Sequence, residues 1–430
     1  MQILYYFTFI FFHSVIIAVE SFNETINDVN STDVTTQFSS TKSDTNDILT
    51  LLLMGDTQFH FPCEEDNVQC KLASKRPRAF FQLDNRLEFQ PGTLVNETLR
   101  QGKESCIRIE SRFANRVQRQ ALDLLISSLD QKPAALIING DLTDFGHHHQ
   151  LQEFRQFWYN NFSIPFLLGL GNHDYENNIN DCALNFCAHT MLSWYAEYVK
   201  NRSLVADIER KTINFDVEFS GSLAYTERVC SSSGKTCAFV IQLNNAIDYS
   251  VSFSSVFVQW NLTSPMKYVH NELNLLKGTS LPILLNMHKC ENIHIHKVKM
   301  MLTRWLAGIK TELESNKKMP RVGVFYAHMH QRHEVHLHCI QGIKVPFVYV
   351  GSVPNNRFSK FDFNGVNGTV TGYKARDSLL HNGEILEKLE TIDLWGPCDS
   401  NEHYIFADHV TRKRWLHLRK SREQAMKVNS

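Results

Sequence analysis

Five stretches of the chain share one design, and it restricts the fold more than any other feature. Each is a short apolar run that stops abruptly at residues able to bind a metal. LLLM is followed by Gly55-Asp56-Thr57-Gln58, and ALIIN by Gly140-Asp141-Leu142-Thr143-Asp144. FLLGL is followed by Gly171-Asn172-His173-Asp174, ILLNM by His288, and VGVFY by Ala327-His328-Met329-His330. Runs this uniformly apolar suit strands buried on both faces. Between them Ile109, Phe113, Val117, Ala121, Leu124 and Leu125 recur at helical spacing within 107–129, and segments 150–159, 266–277 and 297–314 also read as helices. Further strand-length runs lie at 238–243 and 345–350, with one or two more strands expected within 403–420. The alternation predicts an α/β core. Ligands of open α/β sheets bind beyond the carboxyl ends of the strands, so one architectural rule can bring all five segments to one edge.

Asp, Asn and His at such an edge suit divalent first-row ions. A carboxylate shared by two ions holds them about 3.5–4 Å apart, the spacing of two-metal phosphatases and nucleases. Such a pair polarises phosphoryl oxygens and acidifies a bound water. The imidazole of His173 is placed to protonate a leaving oxygen, with Asp174 expected to orient its ring. Other histidines carry less weight: His294/His296 and His336/His338 read as structural, and His147-His148-His149 as a solvated helix start. Asn244 and Asn245 follow a strand and also read as structural. Ser231–Thr236 ends like a phosphate-binding loop, but Val229 stands where that loop needs glycine, and cysteines flank it.

The order and wording of the five segments resemble the calcineurin-like metallophosphoesterase superfamily, whose pattern is D-x-H, G-D-x-x-D, G-N-H-D/E, an isolated His, and G-H-x-H. The resemblance covers about residues 50–352, with GDLTD and GNHD matching fully. It implies a β-sandwich flanked by helices, with the metal site at the strand ends. It also implies that Asp56 and His330 bind one metal, that Asp141 bridges both, and that Asn172, His288 and His328 bind the other. His173 would be the general acid, supported by Asp174. Two divalent ions (Mn, Fe or Zn) are the implied cofactors. The chain departs from the pattern at Gln58, a poorer ligand than the usual His, and at Ala327 in place of Gly. His60 substitutes for Gln58 only if the loop bends. Asp144 stands where purple acid phosphatases carry Tyr, which argues against their iron chemistry.

The expected reaction is hydrolysis of a phosphate monoester or diester, on a small molecule or a lipid headgroup. The alternative is a catalytically degenerate extracellular metal- or ligand-binding protein, a reading that rests on Gln58. A formal charge of −1, from 44 basic and 45 acidic side chains, gives no general pull toward nucleic acid.

Export is expected from three features. Residues 1–20 read as a signal peptide, or as a membrane anchor if retained. Seven N-x-S/T sequons start at Asn23, Asn30, Asn96, Asn161, Asn201, Asn261 and Asn367. The 10 cysteines, without any C-x-x-C, fit disulfides in an oxidising compartment, with Cys182/Cys187 and Cys230/Cys237 locally spaced. Residues 21–47 are too polar to fold and read as a linker. The domain is expected over 48–420, with an insertion at about 61–105 as a lid or a surface excursion, and a tail at 421–430.

Overall fold

The structure, a computed structural model, describes residues 47–59 and 97–406, except 181, 203–204, 214–215, 317–319, 379–380, 382, 397 and 399. The expected signal peptide, nearly all of the linker, most of the insertion, His60 and the tail lie outside these residues.

The strands, in chain order, are Leu49–Met54 (β1), Ala135–Asn139 (β2), Phe166–Gly169 (β3), Val205–Ala206 (β4), Glu209–Ile213 (β5) and Asp216–Gly221 (β6). Then come Tyr225–Cys230 (β7), Cys237–Gln242 (β8), Val251–Ser255 (β9), Val258–Leu262 (β10), Ile283–Met287 (β11) and Val322–Tyr326 (β12). The last are Glu334–Ile340 (β13), Ile343–Tyr349 (β14), Arg357–Phe363 (β15), Gly368–Ala375 (β16), Leu386–Asp393 (β17) and Glu402–Ile405 (β18). The helices are Glu97–Ser128 (α1), His148–Phe154 (α2), Phe186–Arg202 (α3), Met266–Leu275 (α4) and Asn292–Asn316 (α5).

A six-stranded sheet runs β17-β16-β15-β1-β2-β3, and an eight-stranded sheet runs β18-β13-β14-β12-β11-β8-β7-β4. A smaller sheet, β5-β6-β10-β9, completes the described strands. Within the first sheet β1, β2 and β3 are parallel; within the second, β8, β11, β12 and β14 are. These are the apolar runs of the sequence. β1, β2, β3, β11 and β12 are buried along their whole length, so a parallel sheet is the arrangement that satisfies them.

The two sheets form a sandwich, and the strands of the larger sheet show it by alternation. Val240, Leu284, Phe325 and Val348 join one core with Leu49, Leu51–Met54, Leu136–Ile138 and Leu167 of the six-stranded sheet. Their neighbours Ile241, Ile283, Leu285, Val324 and Phe347 join a second core with Val298, Leu302, Trp305 and Leu306 of α5 and Val269 and Leu273 of α4. Period-two alternation therefore gives one face to the opposite sheet and the other to helices. The protein is thus an α/β fold built on a β-sandwich with helices packed against it, as the sequence led us to expect. One difference is α1, which starts at Glu97, ten residues before the expected 107. Another is segment 150–159, where α2 passes into a π-turn at Arg155–Tyr159.

Disulfides join Cys182–Cys187, Cys230–Cys237 and Cys339–Cys398, while Cys290 is free and buried. The Cys230–Cys237 bridge closes the β7–β8 hairpin, so Ser231–Thr236 is a hairpin loop. Among the described residues no helix is long and apolar enough to cross a membrane.

Candidate metal centre

All five sequence segments meet where the parallel strands of both sheets end. The loops after β1, β2 and β3 come from one sheet, and those after β11 and β12 from the other. Backbone hydrogen bonds lock them together. Asp56 N donates to Gly140 O at 3.0 Å, Gln58 N to Asp141 O at 2.8 Å, and Gly55 N to Gly351 O at 3.2 Å. Ala327 N donates to His288 O at 3.0 Å, and His288 N to Asn245 O at 2.9 Å.

This packing needs unusual backbone. Asp56, Gln58, Asp141 and His328 adopt positive φ values of 58°, 39°, 51° and 72°. Left-handed residues other than glycine cost about 1 kcal/mol or more each and concentrate at functional sites. The loops need their glycines for space too. A Cβ on Gly171 would stand 2.1 Å from Asp141 Oδ1, and one on Gly140 (φ 78°) 2.7 Å from the His288 Cβ. Ala327 is no obstacle, because the left-handed residue of its segment is His328.

Two sets of donors result. Ligand atoms of Asp141, His288 and His328 lie within 4.8 Å of one another, and so do those of Asp56, Asp141 and His330. Asp141 belongs to both. In the first set, His288 Nε2 lies 3.1 Å from Asn172 Oδ1, 3.2 Å from Asp141 Oδ2 and 3.2 Å from His328 Nδ1. His288 Nδ1 lies 2.8 Å from Asn139 O. A carbonyl only accepts, so Nδ1 carries the hydrogen and Nε2 turns a lone pair toward the other donors. Lone pairs converging on one point require positive charge between them. The same demand shows in titration: burial opposes charging His288, but the Asp141 carboxylate beside it raises its pKa well above the ordinary value. Burial likewise opposes ionisation of Asp141, which His288 more than offsets.

In the second set, both carboxylate oxygens of Asp56 are buried without a hydrogen bond. The His330 Nε2 stands 3.3 Å from Oδ1, off hydrogen-bond geometry. A buried, unsatisfied carboxylate is costly unless a cation accompanies it. On both counts the residues present fit divalent metal ions.

The structure also reassigns some expected contacts. Asp174 does not meet the His173 ring. Its carboxylate accepts from Gly171 N (2.8 Å), Leu142 N (3.1 Å), Thr143 N (2.8 Å) and Thr143 Oγ1 (2.9 Å), tying the loop after β2 to the loop after β3. The ring of His173 is held instead by Asp144, with Nδ1 3.0 Å from its carbonyl oxygen and 3.5 Å from its Oδ1. Gln58 lies in the site, and its Nε2 donates to Asp141 Oδ2 at 3.3 Å. Of the decoys, His148 and His149 are exposed, while His147 is half-buried with Nδ1 3.3 Å from Cys187 Sγ. Asn245 (φ 60°) is structural, accepting from His288 N and Lys289 N.

Sequence reasoning missed three supporting groups. These are the carbonyl of Asn139, the Asp144–His173 pairing, and Glu291, whose Oε1 is 3.4 Å from His328 Nε2. Only Asp144, inside the GDLTD motif, carried a signal.

Compared with known proteins, the chain matches the calcineurin-like phosphoesterase family over residues 49–277, just over half its length. Among solved structures it matches the crystal structure of TT1561 of Thermus thermophilus at 9% identity. That match covers 73% of this chain and 93% of the other with a TM-score of 0.31, a superposition too loose to add to the architecture above. No curated protein matches the chain.

Proposed function

The chain belongs to the calcineurin-like phosphoesterase family, and on that premise we propose that it hydrolyses a phosphate ester with two divalent ions, one on each side of Asp141. The observation that carries this reading is the pair of donor sets with Asp141 in common. Asp56 and His330 would hold one ion, and Asn172, His288 and His328 the other. Their imidazole, carboxylate and amide donors suit Mn, Fe or Zn. The chemistry such ions supply is neutralisation of phosphoryl charge and acidification of the attacking water.

The remaining residues position and protonate. Asn139 O fixes the His288 ring, and Glu291 meets the outer nitrogen of His328, the carboxylate–histidine support common to metal sites. His173, its Nδ1 held by Asp144, leaves Nε2 to donate a proton to the leaving oxygen. Its side chain is 30% exposed, so a substrate can reach it. Gln58 steadies Asp141 through its amide N–H. Asp174 holds the two ligand loops in register. The substrate is a small-molecule or lipid-headgroup phosphate ester. The chain works in the secretory pathway or outside the cell, a reading supported by three disulfides and by the exposure of Asn161, Asn201 and Asn367 in their sequons.

The test is hydrolysis of p-nitrophenyl phosphate and bis-p-nitrophenyl phosphate, with Mn²⁺, Zn²⁺ or chelator, beside Asp141→Asn. Turnover that needs metal and is abolished by Asp141→Asn is the expected result, and the faster ester separates monoester from diester activity. Turnover indifferent to both chelator and Asp141→Asn overturns the proposal.

A further inference from the structure

A second cluster of metal-ligand side chains lies on β13 and β18, apart from the centre described above. Glu334, His336 and His403 place one ligand atom each within 4.8 Å of one another. His336 Nε2 is 3.3 Å from Glu334 Oε1, and His403 Nε2 is 3.0 Å from Glu334 Oε2. The placement follows from sheet geometry. Glu334 and His336 are two apart on β13 and share a face, and His403 is directly opposite His336 in the antiparallel β13–β18 register. The two imidazoles stack with centroids 4.0 Å apart and planes 9° apart, so both present Nε2 to the same carboxylate.

We propose that Glu334, His336 and His403 form a separate binding site for a Zn²⁺-class ion at the edge of the eight-stranded sheet. Two imidazoles and one carboxylate are a donor set that borderline ions such as Zn²⁺ favour over Ca²⁺ or Mg²⁺. The site is built before any ion arrives. The Cys339–Cys398 disulfide ties β13 to the segment leading into β18, and Cys339 N donates to Asn401 Oδ1 at 2.9 Å. Together they fix the register that sets His403 opposite His336. The site is also open. His403 is 43% exposed, which leaves room for water to complete a coordination shell. Among the described residues the nearest competing cation is Arg332, whose Nη1 is 3.6 Å from Glu334 Oε1 on a side chain 48% exposed that also lies over the Tyr349 ring. An ion here would join the four-residue edge strand β18 to β13 and close the sheet margin.

The alternative is a hydrogen-bonded triad in which both imidazole N–H groups donate to Glu334. Zinc bound per chain separates the two. The full-length purified protein, its His336→Gln and His403→Gln variants, and Asp141→Asn are dialysed against micromolar free Zn²⁺, and bound zinc is measured. Gln keeps a donor toward Glu334, so folding is retained, and unchanged phosphoesterase turnover in both variants verifies it. The expected result is about one ion fewer per chain in either Gln variant, and that ion still present in Asp141→Asn. Equal zinc in the wild type and in both Gln variants leaves only the triad and overturns the site. If a Gln variant loses turnover, Zn²⁺-induced thermal stabilisation of the Asp141→Asn protein, with and without His403→Gln, decides. A shift unaltered by His403→Gln also overturns the site.

Discussion

At the residue scale, the centre depends on what its ligands are attached to as much as on the ligands. Gly171 shows this most plainly, because a methyl group there would collide with Asp141 Oδ1. Gly171→Ala is expected to fold and lose most bound metal, with turnover reduced about a hundredfold or more, as small misplacements of catalytic groups do. Metal analysis and p-nitrophenyl phosphate turnover check it. Asp174 is buried and accepts four hydrogen bonds across two loops. Asp174→Asn replaces one of the two acceptor oxygens with a donor facing N–H groups and is expected to cost about 3 kcal/mol in denaturant unfolding. A null effect there would remove Asp174 as the tie between the two loops. Gln58 is the residue to improve. Gln58→His places an imidazole beside Asp141, and metal titration should show about tenfold tighter binding or better.

At the element scale, β13 runs from the site loop toward the sheet margin beside β18, and the residue just before it carries a pH response. His333 is buried, and its Nε2 lies 2.9 Å from Ser359 Oγ. That hydroxyl already donates to Val350 O, so Nε2–H is the donor, and Nδ1 is left buried without a partner. Burial, with Arg357 nearby, pushes the His333 pKa well below the ordinary 6.5. The unfolded chain therefore takes up a proton below pH 6.5 that the folded chain refuses. Stability from this group is complete above pH 6.5 and falls as the pH drops, by up to about 1.4 kcal/mol per unit. Unfolding free energies at about pH 7, 6 and 5 should show the fall, and His333→Asn should flatten it. Equal slopes in the two proteins would remove His333 as the cause.

The same scale shows what the sequence could reveal. The parallel strands were legible because burial on both faces leaves an unbroken apolar run, as in Leu49–Met54. β15, reading RFSKFDF, alternates buried and half-buried residues and gives no such run. α3 was missed because it buries residues around much of its circumference, including Cys187, Met191, Tyr195, Tyr198 and Val199, which erases helical amphipathicity. The candidate ligands were legible because each follows its strand closely. Their supports were not, because Asn139 acts through a backbone carbonyl and Glu291 through a loop that sequence spacing does not place.

At the scale of the whole molecule, the chain is held covalently at its far end. Cys339–Cys398 closes a loop with a sequence separation of 59, against 5 and 7 for the other two bridges among the described residues. Loop-closure entropy makes the long bridge worth about 4 kcal/mol and each short one about 2. Cys398→Ser should therefore lower unfolding free energy about twice as much as Cys230→Ser, and equal losses would count against an entropic origin. The donors themselves are split between the two sheets. Asp56, Asp141 and Asn172 lie on loops of one, and His288, His328 and His330 on loops of the other. Neither half of the chain is a chelator alone, so the centre comes into being only when the sheets dock, after most of the polypeptide has been made. On the proposed two-ion reading, metal loading would then be a late event of biosynthesis, and the ions would come from whichever compartment the chain occupies once the second sheet has closed.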